Sequence, residues 1–197
     1  MMKMKNHFIY ELEQLAKENN IPIINKEGLS FLQKLIKDYN IKSVLEIGSA
    51  IGYSAINMAL LNVNVVTIER DYDLYLQTLA NIEKFQVTDK VFPILGDALE
   101  IEVNGLFDLI FIDAAKAQYI KFFEKYSNNL NNNGLIVADN LNFHNLDESL
   151  VSRHTRQLLK KLKKFREYLI NNTEFETVFY QIGDGISVSQ RKIKWSF

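Results

Sequence analysis

Two aspartates in this chain each close a run of apolar residues. Asp113 follows Phe107–Ile112, and Asp139 follows Leu135–Ala138 with Asn140 directly after it. If the two runs are neighbouring strands, two carboxylates and an amide oxygen converge at their ends. Such a hard oxygen cluster suits Mg²⁺, which keeps several positions for water or substrate oxygens. Lys116 lies three residues past Asp113. It could serve as a base if desolvation and a metal lower its pKa. The same residues also read as two helix N-caps and a surface lysine, and the motif alone leaves both readings open.

A second constellation lies upstream. In Val44-Leu45-Glu46-Ile47-Gly48-Ser49-Ala50-Ile51-Gly52-Tyr53-Ser54 an apolar strand runs into a glycine turn and then a helix. Gly48 lets a ligand approach the backbone, and the helix start offers free N–H groups. The spacing is neither G-x-G-x-x-G nor a Walker loop. Glu46 disfavours a phosphate and favours a cationic or zwitterionic ligand; the alternative is a plain strand-to-helix turn. Glu69 ends the next strand, where an acid in an open α/β sheet accepts from ribose hydroxyls. Gly96-Asp97-Ala98 follows the third strand in the same manner. Each acid alone could be a solvated strand end. Three on one sheet edge point to an adenosine-type site.

The elements that must position these residues alternate along the chain. Helices are expected at 5–18 and 27–38, separated by Pro22. Short apolar strands at 43–47, 63–68, 91–95, 107–112 and 135–138 alternate with helices from about 53, at 72–85 and at 117–129. Continuous apolar strands between helices predict a parallel sheet covered on both faces. A charged helix over 149–171 follows, then strands at 177–182 and 186–190 flanking Gly183-Asp184-Gly185 as a hairpin. The expected fold is α/β, mostly parallel, with an antiparallel C-terminal pair and two additional N-terminal helices.

Composition fits one globular domain. The chain has 197 residues, 47% apolar and 24% charged, and no cysteine. That excludes disulfides, thiolate metal sites and a cysteine nucleophile. The polar start predicts no signal peptide, and no apolar run is long enough for a transmembrane span, so a cytoplasmic location without membrane contact is expected.

Taken together, Leu45-Glu46-Ile47-Gly48 through Gly52-Tyr53-Ser54, Glu69, Gly96-Asp97-Ala98, Asp113-Ala114-Ala115-Lys116 and Asp139-Asn140 closely resemble the metal-dependent S-adenosylmethionine O-methyltransferases. That family includes the catechol and caffeoyl-CoA O-methyltransferases, and the likeness runs from about residue 21 to 192. It implies a Rossmann-like class I methyltransferase fold with a seven-stranded sheet. It implies a helical cap over 1–40, a catalytic core over 41–192 and a tail over 193–197. It also implies Asp113, Asp139 and Asn140 as Mg²⁺ ligands, with Lys116 as base. Glu69 would hold the cofactor ribose, Arg70 would also bind the cofactor, and Glu46, Gly48 and Ser54 would surround its methionine portion. Asp97 and Ala98 would lie near the adenine, Asp113 would border the cofactor, and Ile23 would cover it from the N-terminal side. Related enzymes are commonly dimeric, which implies a homodimer.

Within the family, Ile112–Tyr119, Ser152–Arg156 and Ile182–Ile186 are similar to the bacterial tRNA 5-hydroxyuridine methyltransferases. That branch implies 5-methoxyuridine at the wobble position as the product, made in the anticodon region of tRNA. O5 and O4 of 5-hydroxyuridine imitate a catechol pair. Charge distribution bears on this. The formal charge of −1 hides a net of −7 over 1–152 and +6 over 153–197. Arg153, Arg156, Lys160, Lys161, Lys163, Lys164 and Arg166 form a basic stripe, and Arg191, Lys192 and Lys194 a second cluster. A cationic stripe is the footprint of phosphate contacts, with Arg153, Arg156 and Lys160 as the tRNA candidates. The alternative is a solvated amphipathic helix. Tyr119, Phe143 and His144 could stack on a base, though packing is the simpler role for each. The competing readings are an O-methyltransferase for a small catechol-like molecule and a nucleic-acid-binding protein with an inactive cofactor site.

Overall fold

A computed structural model describes residues 2–141 and 152–193. Helices α1 (Met2–Glu18) and α2 (Lys26–Asp38) precede an alternating unit. It comprises β1 (Ser43–Ile47), α3 (Tyr53–Ala59), β2 (Asn64–Glu69), α4 (Tyr72–Lys84), β3 (Val91–Leu95), β4 (Phe107–Ile112), α5 (Tyr119–Tyr126) and β5 (Leu130–Ala138). Then come α6 (Arg153–Ile170), β6 (Phe175–Tyr180) and β7 (Ile186–Arg191). The seven strands form one Rossmann-like sheet in the order β3-β2-β1-β4-β5-β7-β6. The first five are parallel, while β7 runs antiparallel between β5 and β6.

Period-two alternation of apolar side chains divides the core into two layers. Val44, Leu109 and Phe111 face α1, α2, α3 and α4 together with Leu32, Ile56 and Ile82. Leu45, Ile110 and Ile112 face α5 and α6 together with Phe123, Phe165 and Leu169. Both faces of β1 and β4 are therefore buried, which is why their sequences read as unbroken apolar runs. Asn25 starts α2 by accepting the Gly28 N–H at 2.8 Å, and Asp71 caps α4 through the N–H groups of Asp73 and Leu74.

Several boundaries differ from the sequence expectation. The helix expected at 117–129 is α5 flanked by short 3₁₀ turns at Lys116–Gln118 and Ser127–Asn129. Strand β5 begins at Leu130, because Leu130 pairs with Phe107 despite the asparagine run that follows. Strand β6 begins two residues early, at Phe175. The described part of the last helix begins at Arg153, where Ser152 accepts the Thr155 N–H at 3.1 Å. No helix among the described residues is long and apolar enough to cross a membrane.

Candidate active site

Because β1 to β5 are parallel, their carboxyl ends share one edge, where open α/β sheets leave a crevice. A cavity of about 510 Å³ opens there. Its wall includes the turn after β1 (Gly48, Ser49, Ala50), the end of β2 (Glu69, Arg70), Gly96-Asp97-Ala98 after β3, and Asp113 to Lys116 after β4. Pro22, Ile23 and Ile24, between α1 and α2, line it as well, as do Asn140 after β5 and Leu158 of α6. The sequence-selected Ile23, Gly48, Ser54, Glu69, Arg70, Asp97, Ala98, Asp113, Lys116 and Asn140 thus meet around one space.

Glu69 is held by the backbone it organises. One carboxylate oxygen accepts from Ala50 N at 2.8 Å and the other from Asp71 N at 2.9 Å. A carboxylate has about four acceptor sites, so capacity remains for ligand hydroxyls. Asp97 likewise accepts from Leu99 N at 2.8 Å, and Ala98 presents a small apolar surface.

Glu46 is placed differently from the expectation. It is fully buried and does not line the cavity. Ser54 and Thr67 each donate a hydroxyl to it at 2.5 Å. Burial pushes its pKa up to about 7, against the pull of those two hydrogen bonds, and the nearby Glu69 charge adds to the rise. Ser54 is therefore the cavity-facing residue, with Glu46 fixing its hydroxyl from behind. Gly48 also differs in its reason. It has φ 93°, and a Cβ there would fall 2.3 Å from the Asp113 carbonyl oxygen. The close approach is between the turns after β1 and β4, so glycine is needed for the protein's own backbone.

At the other end of the cavity Asp113 and Asn140 line the wall, and Asp139, fully buried, lies beside Asn140 without reaching the cavity. The Asn140 amide nitrogen donates to Asp113 at 3.2 Å and to Asp139 at 3.1 Å, while Lys116 Nζ donates to Asn140 Oδ1 at 3.0 Å. Asn140 has φ 62°, a left-handed conformation that asparagine tolerates. Burial and the Glu46 charge push Asp113 up to about 6. Burial and the Asp113 charge push Asp139 up to about 7. Oδ1 of Asp139 is buried without a hydrogen-bond partner. Two carboxylates that share the Asn140 amide, one half-buried and one fully buried, and an orphaned oxygen fit a hard cation, which would offset the repulsion and fill the missing contact. Turning the Asn140 amide over would add its oxygen to the set. Among the described residues no cluster of three His, Cys, Asp or Glu side chains forms a metal site; this set is two carboxylates and one amide.

Tyr119 does not face the cavity. It is buried, and its hydroxyl donates to the Asp139 carbonyl oxygen at 3.1 Å, which places it in packing rather than base stacking. Phe143, His144, Lys194, Trp195, Phe197 and the side chain of His154 lie outside the described residues. Of the basic stripe, Arg153, Lys160, Lys161, Lys163 and Lys164 are exposed, and Arg156 is half-buried. Leu162, Phe165 and Leu169 hold the opposite face of α6 in the core. The second basic cluster is partly structural. Arg191 donates to the Ser127 carbonyl at 2.6 Å and stacks 4.9 Å from the Phe175 ring centre, and Lys192 donates to the Asn172 carbonyl at 2.8 Å.

Some contributors were not visible in the motifs. Thr78 caps the Ala50 carbonyl at 2.8 Å, and Tyr53 on the cavity wall donates to Glu13 of α1 at 2.8 Å. Gln118 lines the cavity and carries a second orphaned oxygen. No sequence pattern marks these, since each depends on contacts between distant segments.

Residues 3–192 match the family model described as O-methyltransferase. Caffeoyl-CoA O-methyltransferase 1 of Eucalyptus globulus is 27% identical over 200 residues, covering 92% of this chain and 80% of its own length. A Staphylococcus aureus crystal structure with the provisional name of caffeoyl-CoA O-methyltransferase superposes with a TM-score of 0.89 at 37% identity, covering 93% of this chain and 92% of that one. A Bacillus cereus O-methyltransferase solved in complex with SAH gives 0.79 at 25%, covering 94% and 91%. The chain belongs to the O-methyltransferase family.

Proposed function

We propose that this O-methyltransferase takes its methyl group from S-adenosylmethionine and delivers it to one of two adjacent oxygens on a small catechol-like molecule, with Mg²⁺ at the oxygen cluster. The observation that carries the reading is the meeting, on one cavity, of strand-end acids with Asp113, Asn140 and Lys116, with Asp139 buried beside Asn140. The names of the caffeoyl-CoA relatives support a small acceptor. Glu69 would accept the ribose hydroxyls of the donor, and Ser54, fixed by Glu46, would contact its methionine portion. Ile23 and Ala98 would cover its apolar surface. Asp113, Asp139 and Asn140 would hold the cation, which when bound lowers the pKa of an acceptor hydroxyl. Lys116, already directed at Asn140, would hold or receive the proton released there. Orienting acceptor and donor in one cavity supplies much of the acceleration.

A second acceptor, the 5-hydroxyuridine of a tRNA wobble position, is favoured by one observation. The exposed cations of α6 flank Leu158, which reaches the cavity wall. A polyanionic acceptor would use that stripe. The test offers both acceptors side by side. With S-adenosylmethionine, methyl transfer to caffeoyl-CoA or a simple catechol, abolished by chelator and insensitive to salt, supports the small acceptor. Transfer only to tRNA carrying 5-hydroxyuridine, weakened by salt and by Arg153→Ala with Lys160→Ala, replaces it with the second reading.

A further inference from the structure

The hairpin turn between β6 and β7 reaches across to the start of α2. The Asn25 amide nitrogen donates to Asp184 Oδ2 at 3.1 Å, although the two residues are 159 positions apart. Gly183 N donates to Glu27 at 3.3 Å. Gly183 has φ 53°, and a Cβ on it would lie 2.4 Å from Asn25 Oδ1, so the turn is seated directly on the asparagine side chain. On its other side the same turn is tied to the oxygen cluster. Gly185 accepts from Leu141 N at 2.9 Å, one residue past Asn140, and Ala138 pairs with Ser187.

Asn25 also ends the segment whose Pro22, Ile23 and Ile24 line the cavity. Glu13 of α1, which accepts from Tyr53 at 2.8 Å, pairs at 2.8 Å with Lys26, just downstream of that segment. The Asn25–Asp184 contact ties the same downstream end to the hairpin turn. One turn thus touches both the roof of the cavity and the strand end that carries Asp139 and Asn140.

We propose that Asp184 and Asn25 are positioning residues: their clasp holds the Pro22–Ile24 roof over the bound methyl donor in register with the Asp113–Asp139–Asn140 cluster. The proposal rests on the cofactor reading given above. Asp184 acts through acceptance of a hydrogen bond, so an amide oxygen at the same place can replace its carboxylate. Asn25 acts through reach, so serine keeps the helix cap but cannot bridge to the turn.

The test titrates S-adenosylhomocysteine calorimetrically into the wild-type chain, Asp184→Ala, Asp184→Asn, Asn25→Ser and the double variant Asn25→Ser/Asp184→Ala. Each single loss of the clasp is expected to weaken binding about threefold to tenfold. Asp184→Asn should stay within about twofold of wild type, and the double variant should bind no more weakly than either single variant. In turnover, the KM for the methyl donor should rise more than kcat falls. Wild-type binding by Asp184→Ala, or additive losses in the double variant, would overturn the clasp alone. Loss in Asp184→Asn equal to that in Asp184→Ala would also overturn it, since charge at the oxygen cluster would then carry the effect. A wild-type chain that binds no S-adenosylhomocysteine would overturn the cofactor reading and the clasp with it.

Discussion

Strand β4 carries an aspartate at each end, and the two are treated in opposite ways. Asp108, at the β-bulge near its start, accepts from Lys42 N at 2.9 Å, Ser43 N at 3.0 Å, Ser43 Oγ at 3.1 Å and Asn131 Nδ2 at 2.7 Å. Burial alone would raise its pKa, yet these hydrogen bonds outweigh it and hold the carboxyl below the usual range. Asp113, just past the other end, receives one weak amide contact from Asn140 and is pushed up to about 6. Buried polar groups are ordinarily satisfied by the protein itself. The amino edge of this sheet follows that rule. At the carboxyl edge Glu69 and Asp97 follow it as well, while Asp113 and Asp139 depart from it, and that departure leaves the pair open to a cation.

The largest effect should follow from removing the least satisfied acid. Asp139→Ala deletes the orphaned oxygen and half of the carboxylate pair. Methyl transfer is expected to fall at least about a hundredfold across a Mg²⁺ titration. The folded state should survive, because relief of the Asp113–Asp139 repulsion offsets the lost packing. Full activity of this variant in chelator would break the contrast between the two edges.

A second, smaller effect concerns pH. Asp139 is raised from 3.8 to about 7 on folding and Asp113 from 3.8 to about 6. Between those values the folded chain binds more protons than the unfolded one. Stability therefore falls as pH rises, with the contribution complete below about pH 4 and lost above about pH 7. Measured in chelator, the melting temperature should decline across that window, and Mg²⁺ should raise it most at pH 8. In Asp139→Ala the decline should be shallower than in wild type but not absent, because Asp113, raised to about 6, and Glu46, raised to about 7, still titrate with the same sign; an unchanged slope would remove Asp139 from the assignment.

The acids of the carboxyl edge were legible because an apolar run followed by a carboxylate marks a strand end, and parallel strands bring such ends together. Glu69, Asp97, Asp113 and Asp139 follow that pattern, and Glu46 sits one residue before the end of β1. The pattern reports an address and not a depth. Nothing in it distinguishes Glu46, sealed behind Ser54 and Thr67, from Glu69, which lines the cavity. Asp108 escaped notice for the opposite reason, since its one carboxyl inside an apolar run gains meaning only from Lys42, Ser43 and Asn131 in other segments. The start of β5 was hidden because Asn131-Asn132-Asn133 has poor strand propensity, which pairing with β4 overrides. Asn25 and Asp184 were invisible as a pair, because their link spans nearly the whole chain.

The smallest effect lies on the satisfied edge and separates stability from activity. Asp108→Asn removes the charge and leaves one acceptor oxygen, which can stay toward Lys42 and Ser43 only if the new NH2 faces the Asn131 amide nitrogen. The cost is about 1–3 kcal/mol, the ordinary price of hydrogen bonds to a charged group. Its pH dependence has the opposite sign to that of Asp139. Because the folded pKa is depressed, the wild-type advantage exists above the unfolded value near 3.8 and disappears as pH falls through the folded value. Denaturant midpoints of wild type and Asp108→Asn should therefore differ at pH 7 and converge as pH falls through the depressed folded value. Turnover at saturating donor should match wild type, since Asp108 lies at the far end of β4 from the cavity. A variant of normal stability but impaired turnover would show that the two ends of the strand are coupled, and that satisfaction by hydrogen bonds does not separate the framework from the site.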